Sequence, residues 1–187
     1  MRDSTGARAV ALLLALLQVS PSRAGQASPP RAEDGIVTGS VTKLPVPRYV
    51  SLKSDRVNLR EGPSKDHRTA WVYQRAGLPV EIVAEFETWR RVRDAEGAEG
   101  WVLHSLLSGR RTALVAPGNK AASLPLQAKP GERGEVVAHL QPGVLASVKA
   151  CEGGWCRVHG VGVDGKRFDG HIAQGRLWGV YPDETVD

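Results

Sequence analysis

A strand-sized pattern that recurs at nearly constant spacing limits this chain more than any other feature. Val57-Asn-Leu-Arg-Glu-Gly-Pro63 parallels Leu124-Pro-Leu-Gln-Ala-Lys-Pro130 at an offset of 67 residues. Gly77-Leu-Pro-Val-Glu-Ile-Val83 parallels Gly143-Val-Leu-Ala-Ser-Val-Lys149 at 66, and Trp89-Arg-Arg-Val92 parallels Trp155-Cys-Arg-Val158 at the same offset. Gly100-Trp-Val102 parallels Gly170-His-Ile172 at 70. The drift amounts to one deletion and one four-residue insertion, both at glycine- or charge-rich turns, where loops tolerate length changes. A duplicated unit of this size must build the same small core twice.

Within each unit the apolar residues alternate. Val57 and Leu59 alternate with polar residues, and Val80 and Ile82, and Val144, Ala146 and Val148, keep the same two-residue spacing. That is the two-residue period of a half-buried strand. Turn residues separate the runs: Glu87-Thr88, Asp94-Ala-Glu-Gly97, Glu152-Gly-Gly154 and the stretch Gly160 to Gly165. No segment sustains a helical period, and 21 glycines with 12 prolines work against long helices. Short strands with frequent turns predict an all-β protein of small barrels or sandwiches. A unit of roughly 60 residues has little core to spend on covering edges, so a barrel that closes its own edges is the economical solution.

The N-terminus reads differently. Arg2 and Arg8 precede an uninterrupted apolar run from Ala9 to Leu17, followed by Ser22-Arg23-Ala24. This is the layout of a cleavable signal peptide, with cleavage expected after Ala24 and Ala27 as the other small-residue site. The run is too short for a mature membrane span, and no later stretch is apolar enough to be one. The mature protein is therefore expected in the periplasm or secreted, in an oxidising compartment. Residues 25–47, with Pro29, Pro30, Pro45 and Pro47 among small polar residues, read as an extended linker. The units follow as residues 48–115 and 123–187, joined by a linker at 116–122. The segment Ala116-Pro-Gly-Asn119 predicts few contacts across that join.

The motifs of the first unit carry a resemblance. Val57-Asn-Leu-Arg-Glu-Gly-Pro-Ser64, Gly77-Leu-Pro-Val80, Trp89-Arg-Arg-Val92 and Glu99-Gly-Trp-Val102 look like the bacterial SH3-like (SH3b) domain, in the exported form typical of alphaproteobacteria. The ending Leu177-Trp-Gly-Val-Tyr-Pro-Asp-Glu184 is similar to the same form. The resemblance spans Arg48 to Glu184 and implies two tandem SH3-like barrels. In the second unit Gln127-Ala-Lys replaces Arg-Glu-Gly and His171 replaces the tryptophan of the Gly-Trp pair. The family resemblance implies a non-enzymatic binding module of the cell envelope, with peptidoglycan or its stem peptides as partner. An adaptor that assembles envelope proteins without touching glycan is the other reading.

No catalytic set emerges. The histidines His67, His104, His139, His159 and His171 sit in no zinc or general-base motif, and no serine occupies a Gly-x-Ser-x-Gly elbow. No cofactor is expected. Cys151 and Cys156 are the only cysteines. They are expected to form a disulfide across a hairpin with a four-residue loop from Glu152 to Trp155, two packed thiols being the alternative. They lack the Cys-x-x-Cys spacing of a thiol-disulfide enzyme. Metal binding by Cys151, Cys156 and His159 would need thiolates that an oxidising compartment disfavours.

Charge points to the first unit. Without residues 1–24 the chain keeps 22 Lys/Arg against 19 Asp/Glu. Residues 48–115 hold 12 against 9, while residues 116–187 hold eight of each. The first unit also contains Trp71, Tyr73, Trp89 and Trp101. Arg60, Tyr73, Trp89 and Trp101 are the candidate ligand residues, since guanidinium and indole together suit acidic glycans or peptide carboxylates. Nucleic acid would use similar chemistry, but an exported protein does not meet it.

Overall fold

A computed structural model describes residues 37–116, 123–162 and 164–187. The signal segment, residues 25–36 and most of the 116–122 linker lie outside them. The first strands are β1 (Val37–Thr38), β2 (Pro45–Val46), β3 (Arg48–Leu52), β4 (Val57–Arg60), β5 (Thr69–Tyr73), β6 (Pro79–Phe86), β7 (Trp89–Arg93), β8 (Glu99–Leu103) and β9 (Leu107–Ser108). After them come β10 (Thr112–Val115), β11 (Leu124–Gln127), β12 (Val136–Leu140), β13 (Leu145–Glu152), β14 (Trp155–Val161), β15 (Arg167–Ala173) and β16 (Leu177–Trp178).

Two seven-stranded antiparallel sheets form two SH3-like barrels. Their orders are β5-β4-β8-β7-β6-β3-β9 and β12-β11-β15-β14-β13-β10-β16. Strand for strand these are the same order, so the sequence repeat is a structural repeat. Even the irregularities recur: register shifts fall at Leu59/Arg60 and Leu126/Gln127, and again at Ile82/Ala84 and Val148/Ala150. Bulges bend a strand, and a small barrel needs those bends to close. Single 3₁₀ turns, His104–Leu106 and Gln174–Arg176, lead into the last strand of each barrel.

The alternating residues point inward as expected. Val57, Leu59, Val80, Ile82, Val92 and Val102 form the first core; Val115, Leu126, Ala146, Val158 and Ile172 contribute to the second. Each fully buried Val, Leu or Ile side chain contributes roughly 1.5–3 kcal/mol.

The disulfide is present. Cys151 and Cys156 are directly paired across β13 and β14, both fully buried. The hairpin is tighter than expected, however. Glu152 pairs with Trp155, leaving a two-residue loop, Gly153-Gly154. Both glycines have positive φ, 57° and 79°, which is what a type I′ turn demands and what side chains resist. Cys156→Ser is expected to lower unfolding free energy by about 2 kcal/mol, the loop-entropy value for so short a closure. Urea denaturation of both forms, each without reductant, checks it.

Two boundaries differ from expectation. The first unit does not run to residue 115, because β10 pairs with β13 and β16 in the second sheet. The first sheet ends at Ser108. Nor are residues 37–47 a free linker. They form the hairpin β1–β2, whose turn closes on Glu85. The Glu85 carboxylate accepts bonds from Val41 N (3.0 Å), Thr42 N (2.8 Å), Thr42 Oγ1 (2.6 Å) and Arg48 Nη2 (2.6 Å). Burial raises the pKa of Glu85, but these donors outweigh it and hold the group at about 2.

The second barrel repeats the position with different chemistry. At the offset of 66, the facing pair Glu85 and Arg90 corresponds to the facing pair Cys151 and Cys156. A buried ion pair (Arg90 Nε to Glu85 Oε1, 3.6 Å) stands where the other barrel has a covalent bond. Here too an outlying segment docks, as Val186 pairs with Cys151 through both backbone bonds.

The barrels also share a seam, contrary to the expectation of few contacts. Thr112 Oγ1, buried, donates to Gly77 O at 2.6 Å. Tyr181 OH donates to Glu81 Oε1 at 2.8 Å, and Arg93 Nε donates to Glu81 Oε2 at 2.9 Å. Tyr49 packs on Tyr181 (4.6 Å between ring centroids) and edge-on to Trp178 (5.3 Å). Burial, reinforced by the carboxylate of Glu81, pushes the hydroxyls of both tyrosines well above their usual range.

Candidate functional site

The outer face of β4 starts the site. Val57 and Leu59 face the core, so Asn58 and Arg60 face outward. The loop after β4 folds back beside them. Its shape is set by Arg60, whose Nη1 donates to the carbonyls of Lys65 (3.0 Å) and His67 (2.7 Å). Glu61 N closes the loop on Arg68 O at 3.1 Å. Trp89 begins β7 opposite Leu103 at the end of β8, and the 3₁₀ turn His104–Leu106 forms the far wall. Between these elements lies an open groove of ≈ 300 Å³, lined by Arg56, Asn58, Arg60, Lys65, Trp89, Leu103 and Leu106.

The groove carries three cations and no acid in its lining. Arg56 and Lys65 form no ion pair among the described residues, and Arg60 is bonded to backbone carbonyls rather than to a carboxylate. Trp89 is 8% exposed, so it offers an edge at the floor rather than a free ring. Guanidinium and ammonium groups over an apolar floor can take a carboxylate-bearing ligand with an apolar part.

Of the four residues expected to act together, the structure brings Arg60 and Trp89 into one groove and separates the others. Tyr73 is a core residue. Its hydroxyl donates to Asp94 Oδ2 at 3.0 Å, and burial, with Asp94, raises its pKa. It borders a different cleft of ≈ 200 Å³ with Trp71, Leu78 and Glu96. Trp101 lies on the outer face of β8, paired in register with Arg60, and meets Phe86 edge-on at 6.5 Å. Sequence reasoning missed Arg56, Asn58 and Lys65. The strand alternation that places Arg60 outward places Asn58 and Arg56 there as well.

Other arginines, outside the groove, are committed elsewhere. Arg90 pairs with Glu85, Arg91 with Glu99, Arg93 with Glu81, and Arg111 with Glu184. Among the described residues no three His, Cys, Asp or Glu side chains gather as metal ligands would. No helix among them is long and apolar enough to cross a membrane.

Comparison with known proteins agrees with the repeat. The family model for the bacterial SH3 domain matches residues 53–109 and again 120–179. Among solved structures the chain is similar to NlpC2 from Trichomonas vaginalis, with 12% identity and a TM-score of 0.31 over 71% of this chain and 48% of that one. It is similar to NlpC1 from the same organism at 13% identity, with a TM-score of 0.31 over 76% and 49%. The chain spans about half the length of each. No protein of curated function matches it.

Proposed function

The chain belongs to the bacterial SH3 domain family, and on that premise we propose that it is a non-enzymatic binding module of the cell envelope. In this reading it is exported, and its first barrel recognises peptidoglycan or its stem peptides. The fold alone does not give a function. The observation that carries the reading is the groove of Arg56, Arg60 and Lys65 around the indole edge of Trp89. Stem peptides offer what such a groove selects: free carboxylates beside short apolar side chains. The apolar run Ala9–Leu17 behind Arg2 and Arg8 supports the export part of this reading.

The test is retention of the mature protein on purified cell wall, followed by titration with defined muropeptides. Lys65→Glu, on a loop whose fold is set by Arg60, is expected to weaken binding about tenfold at low salt. The loss should shrink as salt rises, because exposed charges are screened. Unchanged retention by Lys65→Glu would remove the groove from the proposal. The adaptor reading draws on a different observation. Strands β5 and β12 end their sheets and carry exposed Trp71, Val136 and Val137, as edges that receive a partner strand do. Retention on cell wall only when envelope proteins are added would favour it.

A further inference from the structure

The second barrel has lost the motif residues of the first, yet it keeps the cavity. A groove of ≈ 180 Å³ lies between β11, the loop after it, Trp155 and the 3₁₀ turn Gln174–Arg176. Its lining residues fall where the repeat carries those of the first groove. Trp155 replaces Trp89 and pairs with Ala173 as Trp89 pairs with Leu103. The loops have the same length and closure, since Ala128 N bonds Glu135 O (2.8 Å) as Glu61 N bonds Arg68 O. Lys65 therefore corresponds to Glu132.

Even the pin of the loop is conserved in role. Gln127 stands at the position of Arg60. With its amide nitrogen turned to the loop, it donates to Gly134 O at 2.6 Å and Glu135 O at 3.2 Å. Gly134 corresponds to His67, whose carbonyl Arg60 holds. A neutral side chain thus supports the same loop, and the guanidinium leaves the floor. The walls change in the opposite sense. Glu132 puts a carboxylate where the first groove has an ammonium, and Arg176 puts a guanidinium where it has Leu106. Glu132 and Arg176 are both exposed and form no ion pair with each other or with any described residue.

We propose that this groove is a second ligand site, and that it takes a zwitterionic amino-acid or short peptide unit. Glu132 receives the ammonium, Arg176 the carboxylate, and the half-buried Trp155 the apolar body between them. Opposite charges on two walls, held apart over an aromatic floor, complement a dipolar ligand. They disfavour the plain anion that suits the first groove. The site does not depend on which anion the first groove binds.

The experiment follows the indole N–H signals of the full mature chain by NMR, with each tryptophan assigned through a phenylalanine variant. The probes are the dipeptide alanyl-alanine, its N-acetyl form and its C-terminal amide. Alanyl-alanine is expected to move the Trp155 signal, and each blocked form to bind about tenfold more weakly. Glu132→Gln should abolish the preference over the acetylated form, and Arg176→Leu the preference over the amide. Both residues are exposed, and an unchanged spectrum elsewhere shows that the variants fold. A Trp155 signal that does not move, moves equally with all three probes, or responds unchanged in Glu132→Gln overturns the assignment. So does a response confined to Trp89, and that result would leave the first-groove proposal standing.

Discussion

Gly179→Ala is expected to destabilise the protein by about 2–5 kcal/mol, the sum of backbone strain and overpacking at a site with no room to yield. Gly179 follows β16 with φ of +123°, a region that glycine enters freely and other residues do not. A Cβ there would stand 2.3 Å from Thr112 O, 2.9 Å from Ala113 Cα and 3.1 Å from Pro79 Cβ. Two of those atoms are backbone of β10, so no side-chain rotation relieves the clash. The third belongs to the other barrel, so the strain falls on the seam. The neighbour Gly175 makes a control. It has no positive φ, and nothing lies within 4 Å of a Cβ built on it. At roughly 2–4 °C per kcal/mol for a domain of this size, Gly179→Ala should melt about 5–20 °C lower while Gly175→Ala stays near the parent. Equal melting temperatures for the two variants would show that the backbone there adapts.

Glu85→Ala should cost about 3–5 kcal/mol, because it removes one partner of a buried ion pair and leaves the other behind. The Glu85 side chain is fully buried and that of Arg90 nearly so. Loss of the carboxylate also strands the amides of Val41 and Thr42, so the β1–β2 hairpin should detach. Hydrogen exchange at those two amides reads this directly, and urea unfolding reads the total. Acid should mimic the substitution. The folded pKa of about 2 lies below the ordinary value of 4.5, so unfolding takes up a proton. The stabilisation is complete above pH 4.5 and is lost as pH falls towards 2. Protection of the Val41 and Thr42 amides that persists unchanged from pH 5 to pH 2 would contradict this.

The repeat and the disulfide were legible because both are written in short-range pattern. Strand alternation, turn glycines and two cysteines five positions apart need no knowledge of distant partners. The same alignment carries a further signal. At the offset of 66 it sets Glu85 and Arg90 on Cys151 and Cys156, opposite charges on positions that face each other. At the offset of 67 it sets Tyr73 on Leu140, which marks Tyr73 as core. The seam could not be read in this way. Glu81 meets Tyr181 across 100 residues of chain, and nothing local in either residue announces the other. The charge surplus was likewise a poor guide to the groove. A net count does not separate Arg56 and Lys65, which pair with no carboxylate among the described residues, from Arg90, Arg93 and Arg111, which are held in ion pairs.

Strand β10 gives the molecule a direction in time. It follows in the chain just after Ser108, where the first sheet ends, and its own sheet partners, β13 and β16, come roughly thirty and sixty residues later. Pairing β10 with either of them closes a long loop at an entropic cost. Thr112 meets the finished first barrel at once, through the carbonyl of Gly77. Folding in chain order would make the first barrel a template on which the second is laid down. The reverse order is disfavoured, because Tyr181 and Glu184, which fasten the far side, follow Thr112 by roughly seventy residues. A chain that begins life with its second barrel alone would lack the surface on which β10 is meant to wait.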